Sequence, residues 1–172
     1  MYHFFMKTIV ITGMMGAGKT TVANLLSKKL NLKFIDIDTL IEQIENMSIS
    51  EIFATNGEEY FRKLEHQIIL DSFNNENCVI SLGGGAFENS ETRNFLLKNS
   101  TVIFLKTSPK IIFERIKTNA LRPLLKNNMT VEKIVEILVR REKNYNTAPI
   151  AITTDNKLPN DIVEEIIGVL EW

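Results

Sequence analysis

Short runs of β-branched and aliphatic residues alternate along this chain with longer stretches whose apolar positions recur at helical spacing. Lys7–Thr12 reads as a first strand and Lys19–Leu30 as the helix after it. Lys33–Ile35 predicts a short second strand ending at Asp36-Ile37-Asp38. Ser48-Ile49-Ser50-Glu51 has the spacing of a capping box, opening a short helix that Gly57 stops, and Glu58–Phe73 continues as a longer one. Cys78–Ser81 predicts a third strand that runs straight into Gly83-Gly84-Gly85. A helix over Glu91–Lys98 leads to a fourth strand, Thr101–Leu105, and Ser108-Pro109 has the chemistry of another helix start. Asn119–Asn128 is polar, holds Pro123 and lacks periodicity, which predicts a mobile loop. Thr130 caps a helix reaching about Tyr145, and a strand at Ile150–Thr153 and a helix from about Pro159 complete the pattern.

Strands alternating with helices predict an α/β fold: a five-stranded parallel sheet in a three-layer αβα arrangement. No repeat, low-complexity tract or Pro/Gly/Ser linker divides the 172 residues, so one domain with one core is expected over 1–172. A net charge of −1 gives no general attraction to nucleic acid or to an anionic membrane, so neither is an expected partner. Cys78, the single cysteine, cannot form an internal disulfide and sits in an apolar run, where a buried structural thiol is expected. The apolar start Met1–Met6 is too short for a signal segment, and no later run approaches the roughly 20 apolar residues of a spanning helix. A cytoplasmic monomer is the default expectation.

The strongest chemical signal is Gly13-Met14-Met15-Gly16-Ala17-Gly18-Lys19-Thr20, which matches G-x-x-x-x-G-K-S/T between a strand and an amphipathic helix. Such a loop lets successive backbone N–H groups converge on phosphate oxygens at a helix N-terminus. Lys19 is expected to bridge β- and γ-phosphates, and the Thr20 hydroxyl to ligate Mg²⁺. Gly13, Gly16, Ala17, Gly18, Lys19, Thr20 and Thr21 are therefore the expected nucleotide-binding residues, with ATP and Mg²⁺ as ligands.

Asp36 and Asp38 flank Ile37 just past the second strand, where parallel sheets bind ligands. Residues two apart on an extended chain point the same way, and paired carboxylates are costly unless a cation or substrate separates them. One is expected near Mg²⁺ and the other near a hydroxyl. The bland alternative is a helix cap, with Asp38 starting the helix that holds Leu40, Ile41 and Ile44. Capping explains one aspartate and leaves the other.

Taken singly, the arginines are uninformative. Arg62 and Glu65 are three apart on a predicted helix and could be a surface ion pair, and Arg122 sits in the polar loop. The chain as a whole, however, resembles the shikimate kinase family from about Lys7 to the last helix. The resemblance rests on Gly13–Thr20, Asp36–Asp38, Ile52–Glu65, Ser81–Ala86, Arg122–Leu125 and Arg141–Tyr145. The phosphate loop is common to many ATPases; the other pieces are specific as a set.

This resemblance implies an adenylate-kinase-like P-loop core with a mobile lid over about 116–128 and a substrate-binding region over about 36–65. It implies phosphorylation of the shikimate 3-hydroxyl by MgATP. Asp38 would hold the accepting hydroxyl and Asp36 would support the metal. Arg62 and Arg141 would clamp the substrate carboxylate, with Gly83, Gly84 and Gly85 bringing backbone close to the ring and Phe53 and Phe61 as apolar walls. Arg122 would reach the phosphoryl groups from the lid, and Arg115 and Pro159 would flank adenine. Planar guanidinium forks suit a carboxylate, and phosphoryl transfer needs chiefly positioning and charge neutralisation, so the chemistry agrees.

Other readings stay open at this point. Phe53 and Phe61, at helical spacing, would otherwise be core residues; Ser81 either approaches a metal-bound water or simply ends a strand; His66 reads as a partly exposed structural histidine. Rival functions are another small-metabolite kinase, acting on gluconate or a nucleoside monophosphate, a non-catalytic ATP-binding switch, and a nucleic-acid-dependent ATPase. The last would need a basic stripe that the chain lacks.

Overall fold

The computed structural model describes residues 7–73, 77–118 and 129–170. Five strands, β1 (Ile9–Thr12), β2 (Lys33–Asp36), β3 (Cys78–Ser81), β4 (Thr101–Lys106) and β5 (Ile150–Thr153), form one sheet in the order β2-β3-β1-β4-β5. All pairings are parallel, with Ile11 opposite Ser81 on one side and Ile103 on the other. The helices are α1 (Lys19–Leu30), α2 (Ile37–Glu45), α3 (Ile49–Asp71), α4 (Ser90–Asn99), α5 (Pro109–Thr118), α6 (Val131–Tyr145) and α7 (Pro159–Val169), with a 3₁₀ turn at Ala86–Glu88.

Each central strand reads as a continuous apolar run because both sheet faces are covered. The two-residue period then sorts the side chains. Val10, Ile80, Val102 and Phe104 enter one core with Ile41 of α2, Ile52, Phe61 and Ile69 of α3, Leu96 of α4 and Tyr145 of α6. Ile9, Ile11, Val79, Ile103 and Leu105 point the other way, onto Val22, Ala23 and Leu26 of α1 and Ile162, Val163 and Ile166 of α7. A smaller cluster of Met14, Ile112, Ile116 and Ile134 ties the loop after β1 to α5 and α6.

The helix punctuation is largely local. Ser48 and Glu51 form the expected reciprocal capping box, and the bonds from Ser48 hold the Glu51 carboxyl below the usual range. Thr130 caps α6 and Pro159 occupies the first turn of α7. Gly57 breaks the helical path within Ile49–Asp71, at φ 82° and ψ 170°. The break falls where the sequence placed it, but the chain resumes helix at once, and both flanks, with Ile52 before it and Phe61 after it, enter the same core. β1 begins two residues later than expected, at Ile9, and β2 runs one residue further, to Asp36.

One expectation needs correction. Asp36 and Asp38 do not lie on one extended segment: Asp36 ends β2 and caps α2, accepting the Thr39 N–H at 3.0 Å, whereas Asp38 is already in the first helical turn. The cap is therefore Asp36 and not Asp38. The two carboxylates meet in the same cleft because the chain turns there.

Candidate active site

Strand order reverses around β1, since β1 connects to β2 past β3 while β3 connects to β4 past β1. The crevice at the carboxyl ends of the strands at such a point is the expected ligand position. A cavity of about 280 Å³ lies there. Its wall brings together Gly16, Gly18, Lys19, Thr20 and Thr21 from the first loop and α1, Asp36 from the end of β2, Asp38 from the first turn of α2, Gly84, and Arg115 of α5.

Gly18 caps α1 without a side-chain hydrogen bond, and the first turn has no acidic residue. The helix end therefore keeps backbone donors and its positive dipole for an anion. Lys19 is nearly buried, with Nζ donating to the Met14 carbonyl at 3.0 Å. The Thr20 hydroxyl donates to Asp36 Oδ2 at 2.7 Å and lies 3.5 Å from the Ser81 hydroxyl. Three neutral or anionic oxygens from α1, β2 and β3 thus converge, a donor set that suits a hard cation. Among the described residues no cluster of three or more His, Cys, Asp or Glu could hold a metal alone. Arg115 donates from Nη1 to the Gly16 carbonyl at 3.2 Å. Pro159 opens α7, is exposed, and is not among the residues that line this cavity.

The triple glycine after β3 is packed on both sides by charged groups. A β-carbon at Gly83 would lie 2.6 Å from Asp38 Oδ1 and 2.8 Å from Glu65 Oε1. One at Gly85 would lie 2.5 Å from Arg62 Nη2. Only glycine lets the side chains of α2 and α3 close over this turn. Arg62 pairs with Glu65 at 2.6 Å and lies over the Phe61 ring, 5.1 Å from its centroid. Phe61 is buried in the core and stacks at a tilt on the half-buried Phe53, 4.7 Å between centroids, beside the Arg62 guanidinium. From the other side Arg141 Nη1 donates to the Gly84 carbonyl at 2.7 Å, while its Nε is buried without a hydrogen-bond partner. Two guanidinium groups therefore bracket adjacent residues of one turn.

The Arg62–Glu65 pair is not the surface pair that its spacing alone suggests, because the Glu65 side chain is 3% exposed. Burial pushes the Glu65 carboxyl above the ordinary range; Arg62 opposes the shift and the Asp38 charge adds to it. Its Oε1 has no hydrogen-bond partner. His66 on the same helix is partly exposed and shares a hydrogen bond with Thr92 of α4, 2.7 Å, a structural role as expected. Cys78 is buried, which raises its thiol pKa and keeps it inert.

Of the lid expected over about 116–128, residues 119–128, Arg122 among them, lie outside the described residues, whereas 116–118 are the last turn of α5. Sequence reasoning did not single out Glu65, Met15, Leu82 or Ile116, the last three of which line the cavity as apolar wall. No local pattern separates such positions from ordinary core. Glu65 was visible only as half of an ion pair.

A profile of the family described as shikimate kinase matches residues 15–171. The chain is 44% identical over 162 residues to a shikimate kinase of Sulfurihydrogenibium sp., spanning 94% of this chain and 96% of that one. Its fold superposes on shikimate kinase from Acinetobacter baumannii in complex with shikimate with a TM-score of 0.89 at 29% identity, covering 97% of both chains. Shikimate kinase from Bacteroides thetaiotaomicron gives a TM-score of 0.88 at 31% identity, over 96% of this chain and 99% of that one.

Proposed function

The chain belongs to the shikimate kinase family and is an enzyme that phosphorylates shikimate; on that premise we propose how its own residues perform the transfer from ATP to the 3-hydroxyl. The observation that carries the proposal is the meeting, in one crevice, of an uncapped helix N-terminus, Asp38 and two arginines around Gly83–Gly85.

The phosphates of ATP lie on the N–H groups from Gly13, Gly16, Ala17 and Gly18 to Thr21. Lys19 leaves the Met14 carbonyl for the β- and γ-phosphates. Thr20 and Asp36 hold Mg²⁺, with Ser81 behind them. Bound there, the ion neutralises phosphate charge that these side chains alone leave uncompensated. Arg115 and Pro159 flank adenine. Arg122 completes the charge around the transferred group from a lid over residues 116–128.

Shikimate enters the other half of the crevice, formed by residues 36–65 and the glycine turn. Arg62 and Arg141 take its carboxylate as charge-assisted hydrogen bonds, the buried Nε of Arg141 supplying a donor that needs a partner. Phe53 and Phe61 wall the ring. Asp38 accepts a hydrogen bond from the 3-hydroxyl, orients its oxygen toward the γ-phosphate and takes up the proton as the new phosphorus–oxygen bond forms and the bond from the γ-phosphorus to the bridging oxygen breaks, with ADP as the leaving group. Holding the two reactants in line accounts for most of the acceleration, because the loose transition state needs position and charge more than covalent help.

We further propose that the 172 residues act as one domain, as a cytoplasmic monomer without nucleic-acid or membrane partners. Among the described residues no helix is long and apolar enough to cross a membrane. ADP release with Mg²⁺ and ATP, compared across shikimate, gluconate, AMP and no acceptor, tests the reading. Stimulation by shikimate alone is expected. Stimulation by gluconate or AMP in its place would overturn the arginine pocket, and ATP binding without stimulation by any acceptor would point to a non-catalytic switch.

A further inference from the structure

The glycine turn at the centre of the site is a β-turn: the Ala86 N–H donates to the Gly83 carbonyl at 3.2 Å. Gly85, at φ −107° and ψ −6°, gives it the type I form. Its central peptide, between Gly84 and Gly85, is the weak point. Rotating that peptide by half a turn converts type I to type II, which requires a positive φ at the third residue, and glycine takes that without a steric cost. Gly83 makes room for Asp38 and Glu65 and Gly85 for Arg62, but glycine on both sides of the Gly84–Gly85 peptide leaves it free to flip.

The flanks of the turn are held by other groups. Arg93 donates to the carbonyls of Phe87 and Glu88 at 2.9 and 3.2 Å, and Asn144 donates to Glu88 at 3.0 Å. The Gly84 carbonyl itself accepts two donors from α6, Arg141 Nη1 at 2.7 Å and the Tyr145 hydroxyl at 3.1 Å. Tyr145 is 1% exposed, and its ring stacks on Phe104 at 4.7 Å and on Phe87 at 6.5 Å. Burial raises its pKa, so the hydroxyl stays protonated and able to donate. Because the peptide is trans and planar, fixing the Gly84 carbonyl toward α6 turns the Gly85 N–H to the opposite side.

We propose that Tyr145 is a positioning residue for the acceptor site: its hydroxyl pins the Gly84–Gly85 peptide so that the Gly85 N–H faces the acceptor, and keeps it pinned when Arg141 engages the carboxylate. The proposal rests on the reading of the acceptor site given above. Arg141 has a mobile duty, shared between the turn and the substrate; the hydroxyl, locked in an aromatic stack, has a fixed one.

Tyr145→Phe keeps the ring and its stacking and removes only the donor. The KM for shikimate is expected to rise about five- to tenfold, the worth of one neutral hydrogen bond, with the KM for ATP unchanged. The chain has 8 glycines, so a ¹⁵N-glycine spectrum is simple to read. In the ligand-free variant the Gly85 signal should broaden or double while the other glycine signals stay single. An unchanged shikimate KM with an unchanged Gly85 signal overturns the proposal. So does a parallel rise in both KM values with a lowered Tm, the mark of a merely structural residue. Should the variant not fold, the wild-type spectrum decides: one sharp Gly85 signal with and without saturating shikimate is expected, and exchange broadening on saturation contradicts the pin. Wild-type protein without shikimate-stimulated ADP release would strike the acceptor reading instead, and the ligand-free spectra would still test the pin.

Discussion

Arg62 has two duties that a single substitution would confuse and a pair of substitutions can separate. It bonds Glu65 at 2.6 Å in the resting protein, and in the proposed complex it takes the substrate carboxylate. Arg62→Ala removes the charge that opposes the burial of Glu65. Removing one partner of a fully buried pair costs about 3–5 kcal/mol, but the Arg62 side chain is 30% exposed, so about 1–3 kcal/mol is expected near neutral pH. The sign of the pH dependence follows from Glu65. Its folded-state pKa is raised, so between the unfolded value and the raised one the native protein binds more protons than the unfolded chain. Stability is then fully present below the unfolded pKa and falls as pH rises through that window. Without Arg62 the folded pKa rises further and the window extends upward. Urea unfolding of Arg62→Ala should therefore show little loss near pH 4.5 and the full loss near pH 8. Adding Glu65→Gln should restore stability at pH 8 and leave shikimate binding impaired. The missing charged hydrogen bond should raise the shikimate KM at least about thirtyfold, the equivalent of about 2 kcal/mol. Equal destabilisation at both pH values would refute the assignment of the effect to Glu65. Recovery of the KM in the double variant would refute a direct contact between Arg62 and the substrate.

Asp38→Asn should lower kcat by about 10²–10⁴-fold while ATP still binds, as measured by ADP release and by nucleotide titration; near wild-type turnover would remove Asp38 from its role. Arg122→Ala should lower kcat with little change in the shikimate KM, because the proposed contact is to the transferred group; a raised shikimate KM at constant kcat would place Arg122 on the acceptor instead.

Local patterns carried the sheet and the loop and helix N-terminus that line the crevice. The phosphate loop is one contiguous stretch whose glycines, lysine and threonine each have a fixed duty, and the strands are short enough that burial on both faces shows as plain apolar runs. The pairing of Asp36 and Asp38 was legible, but its geometry was not. The sequence does not reveal that Asp36 turns to cap α2 with one oxygen while the other accepts from Thr20. The proposed acceptor half was legible only through the family resemblance, since Arg62 and Arg141 come together by the folding of α3 and α6 onto Gly83–Gly85. Glu65 illustrates the limit. An Arg and a Glu three apart look alike on an exposed and on a buried helix face, and only the tertiary fold shows the carboxylate shut in beside Asp38.

In the proposed complex shikimate is phosphorylated on one particular hydroxyl, the one that Asp38 orients toward ATP. Incubation of the protein with shikimate, ATP and Mg²⁺, followed by ¹H–³¹P correlation spectroscopy of the product, tests it directly. A single phosphorus signal coupled to the ring proton at carbon 3 is expected. Phosphate on another hydroxyl, or ADP formed without any phosphorylated shikimate, would contradict it.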